Sequence, residues 1–358
     1  MFLLIMLCCS VVLIFFGMEN NNLYMNKFEV KRVENGRVII SNAVLHSSGK
    51  SVKILEVSSD DREEVERQKR CFQTSLALSS KLFLQGLFCF PENNGKRWVF
   101  IYENYDIDLA NAWARNWDEF RVYLKQFLLA LSSLYEEKNM RHGKISPYNF
   151  VINGDRGGLV TGVEGNPFPN FMSKDAVVRD EMWDLRNILF SSLNLGASSK
   201  ELDMFLDFLP WCGSWKQVFC HPFFLDFQHR CYYFLLANQY LNDYLRKSKH
   251  AIRLGDAIKM ELQNHQIYMK NWKVGVNRVN YPAMIHILND PNTNYGYGSN
   301  EFLRFARNCV AHLYIVPNGG MCQQAETLVR RIEDSYPAFL CAVHRVFVAA
   351  TIYIFDMP

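Results

Sequence analysis

Arg141-His-Gly-Lys-Ile-Ser-Pro-Tyr-Asn-Phe-Val-Ile152 is a polar loop running straight into an apolar triplet. What lies on either side of it decides the fold. Immediately upstream, Leu124, Phe127, Leu128, Leu131, Leu134 and Tyr135 recur at intervals of three and four, the spacing of one helical face. Further back, from Phe28 to Tyr105, the runs Arg37-Val-Ile-Ile40, Ser51-Val-Lys-Ile-Leu-Glu-Val57 and Trp98-Val-Phe-Ile-Tyr102 are short and apolar or alternating, as strands are. Between them, Asp60 to Leu78 is charged and helix-compatible. The chain is therefore strand-rich with one helix up to about Tyr105 and mainly helical after Asp106, which makes it an α+β protein.

The chain has 358 residues, enough for two or three domains. Hydrophobic residues make up 49% and aromatics 14%, so sizeable cores can be buried and disorder is excluded as the general state. A net charge of +3 is too small for a general nucleic-acid binder; any RNA contact has to be local, and DNA is not an expected partner. The ten cysteines show no C-x-x-C spacing, which favours reduced, mostly buried thiols.

The run from Phe2 to Phe16 is apolar apart from Ser10. As a helix it would reach only about 22 Å against a hydrocarbon core of about 30 Å. It also lacks a basic leader and a clear cleavage site, so three readings stay open: a membrane anchor, a signal, or a start before Met18 that is not native. If it inserts, Lys27, Lys31, Arg32 and Arg37 keep the rest on the cytoplasmic face, anchored to the endoplasmic reticulum through residues 2–16; otherwise the chain is expected in the cytoplasm.

Downstream, Asp243 to Asn271 is polar and reads as a junction. Two more helical patterns follow, Glu301 to Leu313 and Ala325 to Phe347, the second interrupted at Pro337, whose ring removes a backbone donor.

The loop at 141–152 resembles a protein-kinase catalytic loop, H-R-D-L-K-P-x-N followed by apolar residues, with His142, Pro147 and Asn149 in place. Lys144 stands where the catalytic Asp belongs, and Ser146 where the second Lys belongs. Aligning Ser51–Leu55 with V-A-I-K puts Leu55 at the phosphate-pairing Lys, with Lys53 reaching the pocket only if the register slips. The Gly-rich loop is reduced to Gly36. Leu159-Val-Thr-Gly-Val-Glu-Gly165 occupies the D-F-G position without its Asp, leaving Glu164 as the one conceivable metal ligand, and Glu181-Met-Trp-Asp-Leu185 resembles the start of the central C-lobe helix. An ammonium cannot accept a hydroxyl proton as a carboxylate does, so the resemblance is to a pseudokinase.

His221-Pro-Phe-Phe-Leu-Asp-Phe-Gln-His-Arg-Cys-Tyr-Tyr-Phe-Leu-Leu-Ala-Asn238 narrows the family. It is similar to the end of the kinase domain in the inositol-requiring kinase/endoribonuclease of the unfolded-protein response and in ribonuclease L, where a kinase-extension nuclease (KEN) domain follows. Phe302-Leu-Arg-Phe-Ala-Arg-Asn-Cys-Val-Ala-His-Leu313 resembles that domain's L-x-R-x-x-R-N helix with a His four residues after the Asn, and Ser335-Tyr-Pro-Ala-Phe-Leu340 resembles its R-F-P-x-L-L segment. The implied organisation is an apolar segment at 1–17, a kinase-like N-lobe at 24–105, a C-lobe at 106–245 completing a degenerate bilobal fold, and an all-α nuclease domain at 255–350.

The resemblance implies metal-independent endoribonuclease chemistry, in RNA processing or the unfolded-protein response, with the pseudokinase mediating dimerisation. His312 would be the general acid, Arg307 and Asn308 would hold the scissile phosphate, and Tyr295, with Tyr297 second, would assist the nucleophile. On a helix Asn308 and His312 share a face, while Arg307 points about 100° from Asn308. No cofactor is required; weak ATP or ADP binding in an apolar cleft is compatible with the sequence. Expected partners are RNA and a second copy or a related kinase/endoribonuclease. The competing reading is a non-catalytic pseudokinase/KEN protein that modulates active relatives, because Cys309 and Val310 stand where the family has basic residues. His221 and His142 are read as structural.

Overall fold

In a computed structural model of the chain the alternation at 51–57 is a strand, β3 (Ser51–Ser58), with Val52 and Ile54 buried on one face and Val57 on the other. The structure describes residues 24–33, 38–45, 48–78, 81–92, 94–109, 117–192, 199–244, 249–267, 271–313, 321–336, 338–350 and 352; the run at 2–16, Gly36 and Pro337 lie outside them. Among the described residues helices account for 58% and strands for 17%, with strands concentrated in the first part, so the class is α+β. Two compact units divide between residues 193 and 194, inside the stretch expected to be a C-lobe.

The first unit begins with β1 (Tyr24–Val33), β2 (Val38–Leu45), β3, α1 (Arg62–Ala77), β4 (Gly86–Glu92) and β5 (Arg97–Glu103). Its sheet is antiparallel in the order β1-β2-β3-β5-β4. One face carries Ala43, Val52, Ile54, Val99 and Ile101; the other carries Val57, Phe100 and Tyr102 against Val65 and Phe72 of α1. Asp61 starts α1 by accepting the Glu64 N–H, and Glu63 and Glu64 favour its N-terminal dipole.

β6 (Ile107–Asp108), α2 (Trp117–Glu136), β7 (Met140–Arg141), β8 (Phe150–Asn153), β9 (Gly157–Val160), β10 (Asn166–Pro167) and α3 (Lys174–Ser192) complete the unit. The predicted apolar face of α2 is its core: Leu124, Phe127, Leu128, Leu131, Leu134 and Tyr135 are all buried. Glu181 falls in the middle of α3, not at a helix start.

The second unit is helical throughout its described residues: α4 (Lys200–Phe208), α5 (Trp215–Phe219), α6 (Phe227–Asn238), α7 (Lys249–Asn264), α8 (Trp272–Val279), α9 (Pro282–Leu288), α10 (Ser299–Leu313), α11 (Met321–Ser335) and α12 (Phe339–Ala349). The junction expected at 243–271 is largely the helix α7, because Ile258 and Leu262, one turn apart, bury into the core while Arg253, Asp256 and Lys259 face out. The expected interruption of the last helical pattern falls between α11 and α12, where Ala338 has φ +61°.

Trp272, Phe302, Phe305, Tyr336 and Phe339 make the centre, with Phe302 4.6 Å from Tyr336 and 4.7 Å from Phe339 between ring centroids. Each edge-on pair adds about 0.5–1.5 kcal/mol beyond burial. The buried guanidinium of Arg230 on α6 pairs with Glu201 of α4 at 2.8 Å and with Glu333 of α11, tying three helices together. His221 caps the turn Pro222–Phe224 by accepting the Phe223 N–H, the structural role expected of it.

Cys71, Cys89, Cys212, Cys220, Cys231, Cys309 and Cys341 are free, and four of these seven are buried. Among the described residues no helix is long and apolar enough to cross a membrane.

Candidate functional site

α10 sorts its residues by face. Phe302, Leu303, Phe305, Ala306, Cys309 and Val310 are buried; Arg304, Asn308 and Ala311 are half-buried, and Arg307 and His312 are exposed. The outward strip is therefore 304, 307/308 and 311/312, the three-and-four spacing of one helix edge. Cys309 and Val310 face the core, where a lysine would be buried without a partner. Their apolar character follows from packing.

Ahead of α10, residues 289–298 form a loop fastened from both flanks. Trp272 Nε1 donates to the Gly296 carbonyl at 3.2 Å and Lys273 Nζ to the Tyr295 carbonyl at 2.5 Å. From α10, Arg304 Nη2 donates to the Asn294 carbonyl at 2.8 Å, and Glu301 Oε2 accepts the Gly296 N–H at 3.0 Å. These bonds turn the Tyr295 side chain inward, edge-on to Phe305 at 5.5 Å, leaving it only 2% exposed.

The Tyr295 hydroxyl accepts from Asn308 Nδ2 at 2.7 Å, and Asn308 Oδ1 accepts from Arg307 Nη1 at 3.0 Å. Three of the four expected residues are thus joined in one chain of hydrogen bonds, Arg307 bending back to Asn308 despite the 100° between them. Burial holds the Tyr295 phenol above its ordinary pKa, with hydrogen bonds from Asn308 and Thr293 partly opposing. A buried, neutral phenol is a poor proton acceptor, so the geometry suits Tyr295 to orienting Asn308. His312 stands one turn beyond Asn308, exposed, with no hydrogen bond to it among the described residues. Tyr297, the second choice, faces solvent, with Lys273 Nζ 4.7 Å from its ring centroid.

The first unit holds a second cleft, lined in part by Val38, Ile40, Leu55, Leu84, Tyr105 and Tyr148. Lys53 and Leu55 both line it, because residues two apart on a strand share a face, so Lys53 reaches the cleft without any slip in register. Its ammonium bonds to Asn42 Oδ1 and lies 4.4 Å from the Tyr105 ring centroid. On α1 the Glu64 carboxylate takes Arg67 Nε at 2.9 Å and Gln68 at 2.8 Å. Burial opposes its charge, but hydrogen bonds from Arg67 and Gln68 and the Arg67 charge hold its pKa below the usual range. Glu164 lies 3.9 Å from Arg67 and 3.7 Å from Arg70 and accepts from Asn166 at 3.0 Å, so its oxygens are engaged by cations and an amide.

His142 is fully buried. Its Nε2 donates to the Thr161 carbonyl at 3.0 Å, and its backbone N–H and that of Gly143 reach the Glu181 carboxylate at 3.2 and 2.8 Å. Tyr135 donates to the same carboxylate. Burial pushes the His142 pKa down, as suits a neutral, structural imidazole. Sequence reading had no signal for Glu181 in this role, since the partners lie far apart in the chain.

No protein-family model matches the chain, and no curated protein matches it.

Proposed function

We propose that the second unit is a metal-independent endoribonuclease of the KEN type and that the first belongs to a degenerate, bilobal kinase-like fold that transfers no phosphate. The observation that carries this reading is the edge of α10, where the Tyr295–Asn308–Arg307 chain shares the helix with the exposed His312, one turn beyond Asn308. The Arg307 donors not used on Asn308 would bind the scissile phosphate and stabilise its growing charge. The ribose 2′-oxygen would attack phosphorus, its proton passing to solvent. As the bond to the 5′-oxygen breaks, the imidazolium of His312 would protonate that oxygen, work suited to a side chain that ordinarily titrates near neutrality. Tyr295 would act through Asn308, and RNA would be the substrate.

The kinase-like reading is supported by the five-stranded antiparallel sheet with one helix, and the absence of phosphate transfer by Lys144 at the position where that chemistry needs a carboxylate. The cleft beside Lys53 would at most take a nucleotide weakly and without magnesium. We place the protein as a homodimer, or as a heterodimer with a related kinase/endoribonuclease, acting in RNA processing or the unfolded-protein response. The buried Tyr295 favours a second reading, a non-catalytic modulator of active relatives, since that phenol is shut off from a substrate.

Single-turnover cleavage of a stem-loop RNA by the full chain in EDTA separates them. The wild type should cut, and His312→Ala should cut roughly 10² to 10⁴ times more slowly, the usual worth of a general acid. No cleavage by the wild type at concentrations where it associates would favour the non-catalytic reading.

A further inference from the structure

The loop before α10 holds two tyrosines two residues apart with opposite fates. Tyr295 is 2% exposed and Tyr297 is 63% exposed. A single exposed apolar side chain is ordinary on a protein surface and would by itself mean nothing. Here three further features coincide. The backbone carrying Tyr297 is held immediately upstream, at Tyr295 by Lys273 and at Gly296 by both Trp272 and Glu301, so its ring is presented by a braced segment. One ring face is covered by the Lys273 ammonium at 4.7 Å from the centroid. And the residue two before it touches Asn308, the amide of the proposed phosphate site.

We propose that Tyr297 and Lys273 form a platform for an unpaired nucleotide of RNA beside the cleaved phosphate, a proposal that rests on the nuclease reading of α10. An aromatic ring held in place with one face open stacks any nucleobase, because every base has a π-face. The ammonium, drawn to the ring's electron-rich face, keeps a point charge within reach of the nucleotide's phosphate. A base inside an A-form duplex is already stacked on both sides and cannot use such a ring, so the platform selects single-stranded RNA, loops and bulges. Substrate choice would lie with the loop at 289–298, and bond cleavage with the helix edge.

The test is fluorescence anisotropy in EDTA with a short, 5′-fluorescein-labelled, unpaired RNA and the full chain carrying His312→Ala, so that binding is read without cutting. Tyr297→Ala should weaken binding roughly 5- to 100-fold, the range for losing one base stack. Tyr297→Phe and Tyr297→Trp should retain it, and a duplex of equal length should bind with no dependence on Tyr297. With the catalytic His restored, Tyr297→Ala should raise KM and leave kcat unchanged.

Binding equal to wild type in Tyr297→Ala, with unaltered thermal melting, would overturn the platform, as would failure of Tyr297→Phe to retain it. Cleavage with a Tyr297-independent KM would leave the nuclease and remove the platform. Tyr297-dependent binding without cleavage by the His312 form would do the reverse. Absence of RNA binding altogether would reject both.

Discussion

Both units carry a histidine and an asparagine in a recognisable motif, and the two pairs are used in opposite ways. In the first unit His142 is fully buried, with Nε2 bonded to the Thr161 carbonyl, Nδ1 buried without a hydrogen-bond partner among the described residues and its backbone N–H on Glu181, while Asn149 accepts the Ser146 N–H at 2.8 Å. The Asn149 amide also packs so closely on Gly162, at φ +68°, that a Cβ there would meet its nitrogen at 2.2 Å. In the second unit His312 is exposed and Asn308 half-buried, with Arg307 extending the pair into solvent. The difference teaches that residue type does not decide role. A histidine whose partners are all protein is part of the frame; one with open nitrogens on a helix edge is available as a reagent.

The comparison breaks first at Glu181. Glu181→Ala removes the acceptor of the buried His142 N–H, of the Gly143 N–H and of the buried Tyr135 hydroxyl. At about 1–3 kcal/mol per stranded group, the loss should exceed roughly 3 kcal/mol. His312→Ala, at an exposed site, should stay within about 0.5 kcal/mol. Urea midpoints of the two variants test this, and comparable losses would erase the distinction between frame and reagent.

A second test uses acid. His344 on α12 is buried, its Nδ1 accepting from the Tyr233 hydroxyl at 2.9 Å and its Nε2 bonded to the Gln217 carbonyl at 3.1 Å. Burial, only partly offset by the Gln217 bond, pushes its pKa down to about 4. An unfolded imidazole takes its proton near 6.5, so between those values the unfolded chain binds more protons. Stability of the second unit should therefore be full above about pH 6.5 and fall towards pH 4, by on the order of 3 kcal/mol from this group. Urea midpoints from pH 7 to 4.5 should show the slope, and His344→Phe should reduce it without abolishing it, because His221, fully buried 5.0 Å away between ring centroids, is also held below its ordinary pKa by burial.

A smaller effect than at Glu181 or His344 is expected at Tyr295. Tyr295→Phe keeps the buried ring and removes the acceptor of Asn308, at a cost of about 1 kcal/mol in urea stability. The cleavage rate should fall while its pH profile keeps its shape. A lost titration in that profile would mean that the phenol itself exchanges protons.

Periodicity made β3 and α2 legible, because each has one clean buried face with the right repeat. It missed α7, whose apolar residues are sparse beside Arg246-Lys-Ser-Lys249, and the short helices α8 and α9, too brief for a pattern to accumulate. At the site, the spacing within α10 placed Asn308 and His312 on one edge. The contact between Tyr295 and Asn308 was not readable, since Trp272 and Lys273 set it from another helix. Cys309 and Val310, which stand where the resemblance implies basic residues, are buried, a placement that spacing alone did not show.

The central claim, that side chains on the edge of α10 cut RNA by internal attack, is tested most directly by the chemistry of the product ends. Cleavage by the full chain in EDTA should leave a 2′,3′-cyclic phosphate on one fragment and a 5′-hydroxyl on the other, the signature of attack by the neighbouring ribose oxygen. Products bearing a 5′-phosphate, or formed only with magnesium present, would contradict it.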